Sequence, residues 1–300
     1  RFGSFGSRGD AETRTRIAAA MAEGYPRTPT LLTTDPPEHT RYRALVSRAF
    51  TPRAVAALEP TIREITGRLL DDWSGRARVE FVHDFAVPLP LRVIARSLNV
   101  PENRLDDFKR WSDDSVASVG TSLGVEERIR AERGVNELQH FFADQIEQRR
   151  SRPGDDLLSH LLSARIDDDE ADDTRPLDLP EMLSIIQQLL VAGNETTRNL
   201  ISGGMYTLLT HPEQMERLQG DLDGLLDPAV DEMLRYVSPV MYFRRTATQD
   251  AEIRGVPIAA GDKVTVWYGA ANRDEDVFPD PHTFDVGRTP NEHIDRKSVV

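Results

Sequence analysis

The chain has 300 residues, enough for one large domain with a substantial core or for two smaller ones. It contains no Cys, which excludes a disulfide framework and a thiolate metal site built from its own residues. A net charge of −13 argues against a general nucleic-acid binder, and no apolar run approaches a membrane span, so the expectation is a cytoplasmic globular protein. The start, RFGSFGSRGD, lacks both an initiator Met and the apolar region of a signal peptide.

In chain order, most segments read as helix. TDPPEHTRYRALVSRAF opens one, with Asp35 as N-cap, Pro36 at the first helical position and Glu38 three residues after the cap. PRAVAALEPTIREITGRLLDDW continues in helical period, with Val55, Leu58, Ile62, Ile65 and Leu69 on its apolar stripe. LPLRVIARSLNVP is a short helix ended by Asn99 and Pro101, and RIRAERGVNELQHFFADQIEQRR a longer amphipathic one. ARIDDDEADDTRPLDLP is polar, acidic and without apolar period, hence a surface loop.

A long apolar helix follows. Asp178 caps it, Pro180 lies in its first turn and Glu181 completes a capping box. It can run to Leu209, about 43 Å at 1.5 Å per residue. DPAVDEMLRYV is a further helix that stops at Ser238-Pro239. AEIRGVPIAAGDKVTVWYG then reads as small hairpins turning at Gly255 and at Gly261-Asp262, and NRDEDVFPDPHTFDVGRTP is irregular. The sum is one large, mainly α domain with a small β component near its C-terminal part.

The long helix is weakened at its centre. VAGNETT places Gly193, Asn194, Glu195, Thr196 and Thr197 where good helix formers belong, and mid-helix Gly costs about 1 kcal/mol against Ala. Glycine lets a flat ligand approach the backbone, Thr hydroxyls bend helices, and an acid beside an alcohol can relay protons. The plain alternative is a Gly/Thr packing contact with Glu195 turned to solvent. Glu232 and Arg235 share a helix face at i, i+3 and read alone as a surface pair. His39 and Arg43, at i, i+4, form a face that suits carboxylates or phosphate, against the alternative of a solvated face.

Taken together and in order, these segments resemble the cytochrome P450 family over nearly the whole chain. VAGNETT is similar to the family's oxygen-activating helix motif, EMLR to its Glu-x-x-Arg, and HTRYR to the His-x-x-x-Arg of a helix lying on the haem. RTAT matches a segment whose Arg meets a haem propionate, and FPDPHTFDVGR matches the meander before the haem-ligand loop. The resemblance implies a P450 fold, haem b as cofactor, and monooxygenase chemistry on a small apolar substrate such as a lipid, sterol or terpenoid. Ala192 and Gly193 would give haem and dioxygen room. Thr196 would hydrogen-bond the oxygen and Glu195 would relay protons. His39, Arg43 and Arg245 would meet the propionates, and Glu232 and Arg235 would form a buried structural pair. Val240, Met241 and Phe243 would line the substrate pocket. Electrons would come from NAD(P)H through a ferredoxin reductase and a ferredoxin, since no flavin or nicotinamide fingerprint is present. Arg41, Arg43, Arg48 and Arg53 would offer that acidic carrier a basic patch.

The sequence departs from the family in specific places. The family's axial Cys is absent, and where its Phe-Gly-x-Gly-x-His-x-Cys loop should begin the chain reads DRKSVV. Thr283 stands where many members place an Arg that joins the Glu-x-x-Arg pair, with Arg288 as a substitute. Residues 1–294 therefore read as a P450 domain incomplete at both ends. Residues 295–300 read as a non-native tail whose back-translation resembles a sequencing adapter. As given, the chain would bind haem poorly and be inactive. Two other classes stand beside this one: a haem-free pseudoenzyme or binding scaffold, and an Mg²⁺-dependent isoprenoid cyclase suggested by DDEAD at Asp168 to Asp172. The cyclase's partner motif is incomplete, with Tyr206 following Asn199 and Ser202 in place of Glu.

Overall fold

The structure, a computed structural model, describes residues 11–120, 123–165 and 174–294. The DDEAD acidic run and the DRKSVV tail lie outside the described residues. In chain order the helices before the sheet are α1 (Ala11–Met21), α2 (Glu38–Ala49), α3 (Pro52–Ala56), α4 (Glu59–Asp71), α5 (Pro88–Ser97), α6 (Leu105–Gly120), α7 (Val125–Ser151), α8 (Leu157–Ser163), α9 (Leu179–Thr210), α10 (Pro212–Gly220) and α11 (Leu222–Val237). Then come β1 (Tyr242–Thr246), β2 (Ala251–Ile253), β3 (Val256–Ile258), β4 (Lys263–Trp267) and the single turn α12 (Tyr268–Ala271). The mainly α reading with a small β part is the observed class.

The chain forms two compact units. One comprises, of the described residues, 11–78 together with Pro88–Asn194; the other comprises Val79–Val87 and 195–294. The first is built on a large core in which Leu45, Leu98, Phe108, Trp111, Leu138 and Phe142 are buried, with α9 contributing Met182, Ile185, Ile186 and Leu190. The core of the second is smaller: Leu208, Leu218, Ala229, Phe284 and Val286.

Several local expectations are corrected. Helix α2 begins at Glu38, with Pro37 at the N-cap position and no side-chain cap, so Asp35 does not cap it. Pro36 precedes a second proline, and a residue before proline is pushed out of the α region, so the helix cannot start there. The next stretch is not continuous: Thr51 caps a short α3 through Ala54 N at 3.1 Å, and Pro60 opens α4 in its first turn. Only Ile65 and Leu69 of its apolar stripe are buried. Helix α11 starts at Leu222, capped by Asp221, whose carboxylate accepts from Gly224 N at 3.0 Å; Pro228 lies inside it. Pro212 ends α9 and also opens α10, so a stop signal there was at the same time a start.

The hairpin expectation holds for β2 and β3, whose two-residue turn puts Arg254 and Gly255 at φ 50° and 81°, the twist that short hairpins require. Strand β4, however, pairs with β1 and not with β3, in the register Arg245 to Val264. The amide of Gly261, at φ 94°, donates to Ala247 O at 2.8 Å and so turns the chain toward β1. The capping box of α9 forms as its spacing implies: Glu181 N donates to Asp178 Oδ1 at 2.9 Å, and Asp178 N donates to Glu181 Oε2 at 2.8 Å.

Candidate functional site

The weak centre of α9 separates into glycines of two kinds. A Cβ added at Gly203 would stand 2.5 Å from Val237 Cγ1, and one at Gly204 2.8 Å from Met233 Sδ. Those two glycines exist for close packing against α11. A Cβ at Gly193 would meet nothing nearer than Ile94 Cδ1 at 3.8 Å, an ordinary contact. Packing among the described residues therefore does not require glycine at 193. The packing alternative is true of this helix, but two turns and more further on.

The neighbours of Gly193 divide by face. Asn194 is buried, and its Nδ2 donates to Ser112 Oγ at 3.0 Å, which locks α9 to α6. Ala192 is exposed and Thr196, one turn on, is half-buried, so the two share a face. Glu195 is not turned to solvent. Arg198 holds it through two parallel hydrogen bonds, Nη1 to Oε1 at 2.9 Å and Nη2 to Oε2, and its side chain is only 18% exposed. Arg198 was visible in the sequence only as an i, i+3 neighbour.

Helix α2 presents two kinds of basic residue. His39 and Arg43 are half-buried, and their side chains have no hydrogen-bond or ion-pair partner among the described residues. Arg41 points the other way and is buried. Its Nη1 donates to Glu181 Oε1 at 3.0 Å and its Nη2 to Arg175 O at 3.0 Å. Tyr42 donates to the same Oε1 at 3.0 Å, and Arg175 reaches both carboxylate oxygens at 2.9 and 2.6 Å. Burial pushes the Glu181 carboxyl up, but the bonds from Arg175, the Asp178 amide, Arg41 and Tyr42 outweigh it and hold the group at about 2. Burial, then the bond to Glu181, raises Tyr42 to about 12. Arg41 is thus withdrawn from the basic surface patch, which keeps Arg48 and Arg53 exposed.

The Glu232–Arg235 pair is wholly buried and not a surface pair. Arg235 Nε and Nη2 donate to the two carboxylate oxygens at 2.7 and 2.8 Å, while Nη1 reaches the carbonyls of Asn272 and Pro281 at 2.8 and 2.7 Å. Arg288 Nε is the third member, 3.2 Å from Glu232 Oε1, and Thr283 contributes its carbonyl, which accepts from Arg235 Nη2 at 3.0 Å. Asn291 Nδ2 and the Asp285 amide complete the carboxylate's partners. The irregular 272–294 segment is therefore tied to α11 by one charged knot.

On β1, alternation puts Phe243 and Arg245 on one side, with the guanidinium 6.0 Å from the ring centroid. Arg245 is exposed, and its Nη1 donates to Arg244 O at 3.1 Å. Phe243 also packs on Tyr268, and Val240 is half-buried, but Met241 is 66% exposed, so these three do not form a closed apolar group. Arg245 belongs to one compact unit, His39 and Arg43 to the other. Among the described residues no group of three His, Asp or Glu side chains is placed to hold a metal ion.

His39 and Arg43 suit the carboxylates of a planar dicarboxylate, and an exposed Ala192 beside an unfilled Gly193 suits its flat face. The donor set therefore fits haem, while its axial ligand is not among these residues.

Comparison with known proteins bears on the same point. The family model described as Cytochrome P450 matches residues 125–299. The chain is 44% identical over 262 residues to 6-deoxyerythronolide B hydroxylase of Saccharopolyspora erythraea, covering 87% of this chain and 62% of that protein. It is 38% identical to methyl-branched lipid omega-hydroxylase of Mycobacterium tuberculosis strain H37Rv, covering 88% and 61%. Among solved structures it is similar to CYP109E1 of Bacillus megaterium in complex with testosterone, with a TM-score of 0.80, 38% identity, and 88% and 69% of the two chains covered. The chain spans less than two thirds of the length of the curated relatives it matches, 66% and 61% for the first two.

Proposed function

Because the chain belongs to the cytochrome P450 family, we propose that it is the greater part of a haem-thiolate monooxygenase acting on a small apolar molecule. Haem, when bound, supplies the centre at which O₂ is activated and one oxygen atom is inserted into the substrate. The residues of this chain do the rest. His39 and Arg43 would hold carboxylates of the group, Arg245 has the chemistry to do the same, and Ala192 and Gly193 would leave room over its face. Thr196 would present a hydroxyl at this face, and Glu195 would supply protons there. Because Arg198 grips Glu195, that relay needs the carboxylate to swing off the guanidinium, which makes Arg198 a control on proton delivery. Val240, Met241 and Phe243 border the substrate.

The observation that carries this reading is Gly193, a mid-helix glycine at which an added Cβ would meet nothing nearer than Ile94 Cδ1 at 3.8 Å among the described residues. The relatives' hydroxylation of a methyl-branched lipid and of 6-deoxyerythronolide B, and the testosterone held by CYP109E1, support an apolar substrate. Electrons would arrive from NAD(P)H through a reductase and a ferredoxin, in the cytoplasm. No helix among the described residues is long and apolar enough to cross a membrane. With no Cys in the sequence, the 300 residues alone would not give the red-shifted, CO-bound spectrum of thiolate-ligated haem. The activity test uses a form that also carries the thiolate loop. There Thr196→Ala should keep NAD(P)H consumption while product falls and peroxide rises. Unchanged coupling would remove Thr196 from the relay.

A further inference from the structure

We infer that Glu181 is a positioning residue for the carboxylate-binding face of α2. The inference rests on the haem reading above and adds a residue to it that touches no cofactor.

Helix α2 is 12 residues long, and its N-cap is Pro37, with no side-chain hydrogen bond to the first turn. Something else must set the roll of that turn about the helix axis. At about 100° per residue, His39 and Arg43 lie on one edge and Arg41 lies roughly opposite. Arg41 and Tyr42 both end on Glu181 Oε1, each at 3.0 Å. Arg41 is further stitched to the carbonyls of Arg175 and Pro176 at 3.0 and 3.2 Å. These are charge-assisted bonds in a buried setting, with Glu181 1% exposed, so they define direction closely. A turn gripped by Arg41 at its back and by Tyr42 at its side presents its front in one orientation, and the front carries His39 and Arg43, unpartnered among the described residues.

The same carboxylate does a second thing. It closes the capping box at the start of α9 by accepting from Asp178 N. Gly193 lies 12 residues further along α9, about 18 Å at 1.5 Å per residue. One carboxylate thus fixes both the roll of α2 and the start of the helix that carries the open glycine. A capping box needs only the two side-chain-to-backbone bonds between Asp178 and Glu181. The Arg41, Tyr42 and Arg175 contacts exceed what capping requires, and three hydrogen-bonding side chains on one buried carboxylate are what a rigid joint between two elements requires.

The test uses metal-free protoporphyrin IX, which needs no axial ligand, and its dimethyl ester, which lacks the carboxylate charges. Binding of each is read by tryptophan quenching in the full chain, and the quantity of interest is the ratio of ester Kd to acid Kd. The wild-type protein should prefer the acid. His39→Ala with Arg43→Ala should lower the ratio sharply toward one, Arg245 supplying what preference is left. Glu181→Gln, equal in shape and uncharged, should lower the ratio about tenfold, the worth of one misplaced charge-assisted hydrogen bond. Tyr42→Phe, which leaves the packing intact, should lower it less. Glu181→Gln or Tyr42→Phe with the wild-type ratio, beside a collapsed ratio in the His39/Arg43 double variant, would overturn the positioning role and leave the haem reading standing. Acid and ester weakened equally by Glu181→Gln would also overturn it, because that is what loss of fold alone does. A ratio unmoved in the His39/Arg43 double variant would instead overturn the reading of α2 itself.

Discussion

Glu181 shows what a local pattern discloses and what it hides. Its place three residues after Asp178 announces a capping box, because both partners of that box lie within one turn. Arg41 and Tyr42 lie some 140 positions away in the chain, and no spacing reveals them. The same holds for Glu195: the sequence shows a carboxylate in mid-helix, but only side-chain geometry shows that Arg198 takes it. The Glu181 joint has a consequence for pH. Its carboxyl falls from an ordinary 4.5 to about 2, so folding favours the ionised form. The stability this supplies is fully present above about 4.5 and is lost as pH falls through about 2. Acid unfolding followed by circular dichroism should therefore show the difference between wild type and Glu181→Gln shrinking across that window. A difference constant with pH would mean that the charge of Glu181 is not what the joint uses.

At the scale of elements, legibility followed the kind of signal. Helix α9, its cap, the stop at Ser238 and the β2–β3 turn were readable, because each depends on neighbours in sequence. The pairing of β4 with β1 was not, because the bonds of Gly261 and Asp262 to Ala247 are tertiary choices. Helix α7 also concealed its character. Glu132, Asn136 and Gln139 look like a solvated face but are buried, Asn136 on Ala20 O at 2.7 Å and Gln139 on Tyr25 N at 2.9 Å. The glycines of α9 supply the sharpest element-level prediction. Gly203→Ala drives a methyl toward Val237, and over-packing of that kind costs about 1–3 kcal/mol. A thermal melt should show a clear loss of stability. A melt unchanged or raised would mean that α9 and α11 are not packed as closely as the Gly203 contact requires.

The whole molecule carries a net charge of −13, yet α2 and the α3 that follows it keep Arg48 and Arg53 exposed on a surface that Arg41 has left. An acidic electron carrier should be steered there, and the rate should fall with salt. Arg48→Glu in a haem-loaded, loop-bearing form should slow reduction at low ionic strength and converge with wild type at high. Rates indifferent to both salt and charge reversal would place docking elsewhere. Family membership was legible from ordered motifs, since each is a local string; the grouping of residues into two compact units was not, because it is a property of contacts. The central claim is that α9 leaves Gly193 open for a flat ligand and not for its own packing. A thermal melt paired with protoporphyrin IX binding for Gly193→Ala tests this most directly. The melting temperature should lie at or above wild type, since the added Cβ stands 3.8 Å from Ile94 Cδ1 and Ala is the better helix former, while porphyrin affinity should fall about tenfold. A lowered melting temperature with porphyrin affinity intact would contradict it.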